Sequence, residues 1–445
     1  MEARIADMAS TAPKKPVTPL SRRRFISTAL APLVAPMLAG CRGAGAGGTT
    51  LRFWNGFTGP DGRTMLHLVQ RFNRENPDIN VLMQRMDWNT YYNKLFVAGL
   101  GGRAPEIFVL QMHTIPRFAQ AAFVRPIDDL VASHTSPSNG VAIGDIDPNV
   151  WEAVSVAGKH YGLPLDIWPL GMYYNRKLFR DAGIVDAKGE AKPPTDRAEF
   201  LEAARKLTVR GTNGNPDRWG FVFTNFDSNV YTIMQQFEPQ FGDSFFTPDY
   251  RRCTLNNPQN VAALEFCASL IRQYRCAPPP ENYDAWIGFR QGKIGMAFEG
   301  IYMLADLEKQ KDLDYAGAPV PRLGDRDAVW AGSHNLCLRS DLHGAQLEAA
   351  WRFLTFLSNN SLDWAAGGQV PVRRSLRASQ RFHDMPVQSA FASQIPYTHY
   401  PPRLNFIFEF TTEFDTAIER ALRGSASAQE ALSQAEATVN RILAR

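Results

Sequence analysis

Leu51-Arg52-Phe53-Trp54-Asn55-Gly56-Phe57-Thr58-Gly59-Pro60 opens the segment that decides the fold. Its first four residues alternate with strand composition, and Asn55 to Pro60 break the run with turn formers. Met65, Leu68, Val69 and Phe72 then recur at helical spacing until Asn76-Pro77 stops the helix. Ile79, Val81 and Met83 alternate as the next strand. A helix from about Asn89 through Ala98 follows, Gly101-Gly102 ends it, and Ile107-Phe108-Val109-Leu110 reads as a buried strand. This succession predicts an α/β fold with a mostly parallel sheet covered by helices. Ligands of open parallel sheets sit beyond the carboxyl ends of the strands. Trp54, Asn55, Gln111 and Met112 are therefore expected near any cleft.

Further along, Tyr161-Gly162-Leu163-Pro164-Leu165-Asp166-Ile167-Trp168-Pro169-Leu170 is an extended, proline-punctuated run suited to an interdomain crossing. Gly171 to Asn175 continues it with strand composition. Asp196 with Glu199 predicts a capping box ahead of Phe200, Leu201, Ala204 and Leu207. Asn257-Pro258 starts another helix. Ile294 to Phe298 reads as a buried strand with a loop at Glu299-Gly300-Ile301-Tyr302. Val329 to Leu338 is strand-like, Ala345 to Leu357 is an amphipathic helix, and Glu413 to Leu443 is helical by composition.

The amino end has another character. Arg22-Arg23-Arg24 precede 16 uncharged residues, Phe25 to Gly40, that run into Leu38-Ala39-Gly40-Cys41. A membrane helix needs roughly 20 apolar residues, so this order reads as a secretory signal peptide over 1–40. The paired arginines resemble a twin-arginine export signal, and the last four residues resemble a lipobox, which implies cleavage before Cys41 and lipidation of that cysteine. Residues 41–50 are small and flexible enough to act as a tether. Residues 1–40 carry six basic and two acidic side chains, a net of +4, which equals the whole-chain charge. The remainder is neutral, and a basic face for nucleic acid is not expected.

About 395 residues follow the tether, more than one hydrophobic core usually serves, so two domains are expected. Cys253, Cys267, Cys276 and Cys337 carry no C-x-x-C spacing, so no zinc ribbon or thioredoxin-type site is expected; disulfides and packed free thiols both remain open.

Several motifs together resemble the extracellular solute-binding proteins of ABC importers, in the carbohydrate-binding family that includes maltose- and glycerol-phosphate-binding proteins. Phe72-Asn73-Arg74-Glu75-Asn76-Pro77-Asp78-Ile79-Asn80-Val81 is similar to the family's helix-to-strand turn. Gly102-Arg103-Ala104-Pro105-Glu106-Ile107 resembles a second signature, with Glu106 where Asp is usual. Tyr161-Gly162-Leu163-Pro164 followed by Tyr173-Tyr174-Asn175-Arg176-Lys177-Leu178-Phe179 is the most specific match, and Phe289 to Met296 with Gly300 resembles a ligand-contacting strand and loop. The resemblance implies the two-lobed periplasmic-binding-protein fold (type II), with sheets joined by crossing strands. It places 51–165 and 331–369 in an amino-terminal lobe and 170–327 and 373–445 in a carboxy-terminal lobe. It further implies a monomer, exported to the periplasm or cell surface, that holds one solute between its lobes and delivers it to membrane permease subunits.

No His-Glu-x-x-His, P-loop or Gly-x-Ser-x-Gly motif is present, so neither metal nor cofactor is expected. Sugars lay flat C–H faces on aromatic rings, and their hydroxyls need paired donors and acceptors. Trp168, in the crossing, is the leading stacking candidate, with its ring expected to face an open, wet cleft. Trp54 and Trp88, beside Asp87, come next, whereas Trp219, Trp286, Trp330, Trp351 and Trp364 are assigned to packing. Polar candidates are Asn55, Gln111, Asp166, which could accept two hydroxyls, and Glu299. Gly300 would let backbone approach the solute and Tyr302 would add a ring. In the family layout Ser333 and His334 lie near the second crossing and Arg373 near the third, where a phosphate could bind. An alternative stays open: a secreted glycan hydrolase pairing Asp166 with Glu299 or Asp87, which requires carboxyls about 5–5.5 Å or about 6.5–9.5 Å apart.

Overall fold

A computed structural model describes residues 48–136, 140–212, 216–223, 239–242, 244–279 and 285–444. The stretch read as a signal peptide, Cys41 and most of the stretch read as a tether lie outside the described residues. The chain then runs β1 (Thr49–Asn55), α1 (Asp61–Glu75), β2 (Ile79–Arg85), α2 (Trp88–Leu100) and β3 (Ile107–Gln111), the order its periodicities predict. β1 starts two residues inside the stretch read as tether, because the Thr49 N–H donates to the Asp78 carbonyl at 2.9 Å and Thr49 pairs with Ile79.

A short helix α3 (Ile115–Gln120) precedes the crossing strands β4 (Leu163–Pro164) and β5 (Asp166–Asn175). After α4 (Arg197–Leu207) come β6 (Val209–Arg210), β7 (Pro216–Phe223), α5 (Pro258–Arg272), β8 (Ile294–Gly300) and β9 (Tyr315–Ala318). β10 (Val329–Gly332), β11 (His334–Leu338), α6 (Gly344–Asn359), α7 (Ser361–Ala365), β12 (Val370–Pro371) and β13 (Thr398–His399) follow, then α8 (Ile407–Arg423) and α9 (Ala428–Leu443).

Two mixed sheets result. The first has the order β2-β1-β3-β11-β4, and the second β13-β10-β5-β8-β7-β6, with β9 and β12 also paired to β5. In the first, β1, β2 and β3 are parallel and β11 runs antiparallel to β3. β3 is buried on both faces: Ile107 and Val109 join one apolar cluster with Phe53, Trp351 and Trp364, while Phe108 and Leu110 join another with Tyr91 and Phe118. Such two-sided burial explains its unbroken apolar run. The Tyr91 hydroxyl donates to the Val109 carbonyl at 2.7 Å, and Glu106 clips the sheet by accepting from Arg52 Nη2 at 2.8 Å and Arg339 Nη1 at 2.7 Å.

The crossing run is a real sheet-to-sheet passage: Leu163 and Pro164 pair with β11 in the first sheet, whereas Asp166 onward forms the centre of the second. The predicted strand 329–338 is instead two strands that divide at Ser333, β10 pairing with β5 and β11 with β3. Both halves are buried, and the change of pairing partner marks the break. The expected carboxy-terminal helix is also two, separated by Gly424 in left-handed conformation (φ 77°) and restarted by Ser427, whose side chain accepts from the Glu430 N–H. Asp196 caps α4 by accepting from the Glu199 N–H, but Glu199 reaches back to Thr195, not to Asp196, so the capping box closes one residue early.

A third apolar cluster fills the second lobe, from Leu170 and Phe179 through Phe298 to Phe414 and Val439. Segment 373–445 is shared: Phe382 packs in the first sheet's core, while Val387, Phe391 and Leu404 onward pack in the second's. The four described core cysteines, Cys253, Cys267, Cys276 and Cys337, are buried free thiols.

Candidate functional site

The carboxyl ends of β1 and β3, the two crossings and the end of β8 bring a set of rings to one place. Phe57, just beyond β1, packs its ring against Trp88, His334 and Trp364 at centroid distances of 5.9, 4.9 and 4.9 Å. Trp88, at the head of α2, stacks nearly parallel on His334 at 5.6 Å and 12°. The other face of this set continues through Trp168, 5.4 Å from His334, which meets Trp330 at 4.8 Å and Tyr302 at 5.9 Å edge to face. The rings thus run from the layer of the first sheet to that of the second. Glycines permit the two indoles their close approach: a Cβ on Gly56 would lie 2.0 Å from the Trp88 ring, and one on Gly332 would lie 2.2 Å from that of Trp168.

His334 is fixed by Asp166. The His334 backbone N–H donates to Asp166 Oδ1 at 2.9 Å, its Nδ1 lies 2.9 Å from Oδ2, and the Trp364 indole N–H donates to Oδ2 at 2.7 Å. Asp166 is fully buried. Both its oxygens are therefore occupied by protein donors, and in this arrangement it positions the imidazole; it does not offer two free acceptors to a solute.

Around the rings lie polar atoms that are buried and unpartnered: Asn55 Nδ2, Asp61 Oδ1, both amide atoms of Gln369, and the indole nitrogens of Trp168 and Trp330. Burial raises the Asp61 carboxyl to about 6, against the pull of His334 and of nearby backbone N–H groups. His113, one residue past Met112, has a buried, unpartnered Nδ1 and is lowered to about 4 by burial and the field of His334. Unpaired buried groups each cost about 1–3 kcal/mol, and folded proteins retain few without a reason. Idle donors and acceptors of this kind are what hydroxyl groups can satisfy.

Other candidates fall as follows. Trp54 is half-buried against the Tyr91 cluster, and its carbonyl accepts from the Tyr91 hydroxyl at 3.2 Å. Gln111 ends β3 directly opposite His334 in the antiparallel register. Asp87 remains exposed ahead of α2. Glu299 ends inside the second sheet, accepting from the Gly300 N–H at 2.7 Å and the Tyr302 hydroxyl at 2.9 Å. The expectation for Gly300 is corrected: its bare Cα makes room for the Tyr302 ring, which a Cβ would meet at 2.0 Å, so the glycine serves a side chain of its own loop. Ser333 is fully buried, and its carbonyl accepts from Met112 N–H. Arg373 is drawn away by Asp145 and Asn359, at 2.9 and 2.7 Å. Trp168 is corrected too: its ring is 4% exposed, wedged among rings, not facing open water.

Sequence reading missed Asp61, Gln369 and Phe57 and placed Trp330 and Trp364 in packing alone. Only Asp61, following Gly59-Pro60 at a helix start, carried a local signal. Two open grooves lie outside the cluster, one of about 540 Å³ lined by Tyr161, Tyr250, Arg403 and Phe406, the other of about 710 Å³ lined by Lys177, Arg218, Lys309 and Lys311. Among the described residues no group of His, Cys, Asp and Glu could hold a metal ion.

Known proteins share this fold. A maltotriose-binding protein of Pyrococcus abyssi is 21% identical over 348 residues, 76% of this chain and 69% of its own. An ABC substrate-binding protein of Listeria monocytogenes, solved with cycloalternan, superposes with a TM-score of 0.77 at 21% identity, covering 89% of this chain and 99% of that one. The maltose/maltodextrin-binding domain of Bdellovibrio bacteriovorus, solved with maltotriose, gives 0.75 at 23% identity, covering 89% and 100%. Their likeness shows the two-lobed fold. Residues 58–362 match the family described as bacterial extracellular solute-binding protein, more than half of the chain, and the chain belongs to that family.

Proposed function

We propose that this chain is the extracytoplasmic solute-binding component of an ABC importer, that its solute is a neutral carbohydrate, and that it delivers this to permease subunits in the membrane. The observation that carries the reading is the ring set from Trp88 through His334 and Trp168 to Tyr302, bordered by unpartnered polar atoms of Asn55, Asp61, Trp168, Trp330 and Gln369. Aromatic faces take the C–H surfaces of a sugar, and the stranded donors and acceptors take its hydroxyls. The ionisable groups whose fields meet at Asp61 are Asp166 and His334. A phosphoryl group would meet the Asp61 carboxyl within the field of Asp166, so the reading prefers a neutral sugar to a glycerol-phosphate-like solute. Oligosaccharides are the first compounds to try, in view of the maltotriose-binding relative.

In this reading the lobes are 51–165 with 331–369 and 170–327 with 373–445, except that Phe382 packs with the first, and closure around the solute is a population shift driven by contacts to both. No chemical step is assigned: Asp166 is committed to Trp364 and His334, and the protein acts by capture and release as a monomer. Export as a folded chain, cleavage before Cys41 and lipidation of that residue complete the proposal. A thermal-shift screen of the mature protein with maltotriose, other neutral oligosaccharides and glycerophosphodiesters tests it. Stabilisation follows RT ln(1 + [L]/Kd), about 2.7 kcal/mol at a hundredfold excess over Kd. Stabilisation by glycerophosphodiesters alone would overturn the carbohydrate assignment.

A further inference from the structure

We propose that Asp61 contacts the solute and binds it as the carboxylate, so that capture weakens in acid and expels a proton. This rests on the carbohydrate reading and deepens it. Asp61 is the first residue of α1, 7% exposed, and its Oδ1 is buried without a partner. Two other unpartnered groups adjoin the same turn. Asn55, fully buried two residues before Phe57, accepts from the Phe57 N–H with Oδ1 and leaves Nδ2 idle. Gln369, fully buried with both amide atoms idle, lies two residues past Gly367, whose Cβ would come within 2.8 Å of Thr64 Oγ1 in the first turn of α1. One step along the pairing of Val370 with Ile167 brings Gln369 opposite Trp168. An acceptor, a donor and a group that is both therefore border the ring set, the pattern that adjacent hydroxyls satisfy.

The charge of Asp61 decides the sign. The groups facing it are His334 from β11 and Asp166 from β5, with Arg85 from β2 beside Gly62 and Arg63 exposed on its own helix. Burial holds the solute-free carboxyl near 6. A solute hydroxyl can donate to the carboxylate, and a hydrogen bond to an ionised acceptor is roughly twice as strong as a neutral one. Binding thus selects the ionised form. One pH unit below that value about a tenth of the molecules are competent, and apparent affinity falls by that fraction.

The test is calorimetry of the wild-type protein and Asp61→Asn with maltotriose and the other neutral oligosaccharides, at pH 5.0 and 7.5. Wild type is expected to bind about tenfold more weakly at pH 5.0, and titration at pH 6 in two buffers of different ionisation enthalpy should read about half a proton released. Asp61→Asn should bind about tenfold or more weakly at pH 7.5 and lose the pH dependence, while its solute-free melting temperature at pH 7.5 equals or exceeds that of wild type. His334 persists in that variant, so a surviving pH dependence would assign the effect to the imidazole and overturn the proposal. Wild-type affinity in Asp61→Asn, or no proton released by wild type, would overturn it as well. If wild type binds none of these sugars at either pH, the carbohydrate reading itself fails, and this proposal with it.

Discussion

Replacing Trp168 by Phe separates a binding tryptophan from a packing one. The indole is 4% exposed, lies on Gly332, and meets Trp330, Tyr302 and His334, yet its Nε1 has no partner. Phenylalanine keeps most of the ring contact and loses the smaller part of a buried side chain, about 1–2 kcal/mol on the scale of large-to-small core changes. It also removes a buried, unsatisfied N–H, which returns about 1–3 kcal/mol. The two terms nearly cancel. The solute-free melting temperature should therefore move by no more than about 2 °C, since 1 kcal/mol shifts a protein of this size by only a few degrees. Affinity behaves differently: a lost hydrogen bond of about 1 kcal/mol and a poorer stacking partner together weaken oligosaccharide binding by about tenfold or more. Melting curves with and without saturating maltotriose read both quantities from one preparation. A clear loss of solute-free stability with an unchanged ligand-induced shift would refute the argument and return Trp168 to the core.

Further outcomes can be measured, the first two resting on the structure and the last on the sequence of the amino end. Glu106 also pairs with Arg339, and against the opposing effect of burial the hydrogen bonds and charge of Arg52 hold it down to about 2; its contribution is complete above its unfolded value near 4.5 and disappears as pH falls toward 2, so Glu106→Gln should lower stability by about 2 kcal/mol at pH 7 and flatten the acid limb of a stability–pH curve. Cys253, Cys267, Cys276 and Cys337 should stay silent to a thiol reagent until the protein is denatured, because burial pushes Cys253 and Cys276 up to about 12 and the other two higher still; fast native labelling would contradict this. Arg22→Lys with Arg23→Lys should block export, and Cys41→Ser should abolish lipidation without changing solute affinity; wild-type yields of mature protein outside the cytoplasm in the first variant would count against the twin-arginine reading.

What the amino-acid sequence determined by itself is whatever rests on neighbours along the chain. The order from β1 to β3 was legible because strand alternation, helical spacing and the stops at Asn76-Pro77 and Gly101-Gly102 are local signals. The crossing at Leu163 to Asn175 was legible because prolines and an unbroken apolar run leave an extended chain few other places to go. The same local logic pointed to Trp168 in the crossing, and the family resemblance added His334 near the second crossing. Only tertiary structure decided what they do. Val329 to Leu338 divides at Ser333 because its halves pair with β5 and β3, partners more than a hundred residues away. Asp166 looked like a free acceptor until packing brought it the indole N–H of Trp364, 198 residues on. Asp61 and Gln369 stand out solely because folding buries them and supplies no partner. A missing hydrogen bond is a property of the whole surrounding shell, which no pattern along the chain encodes.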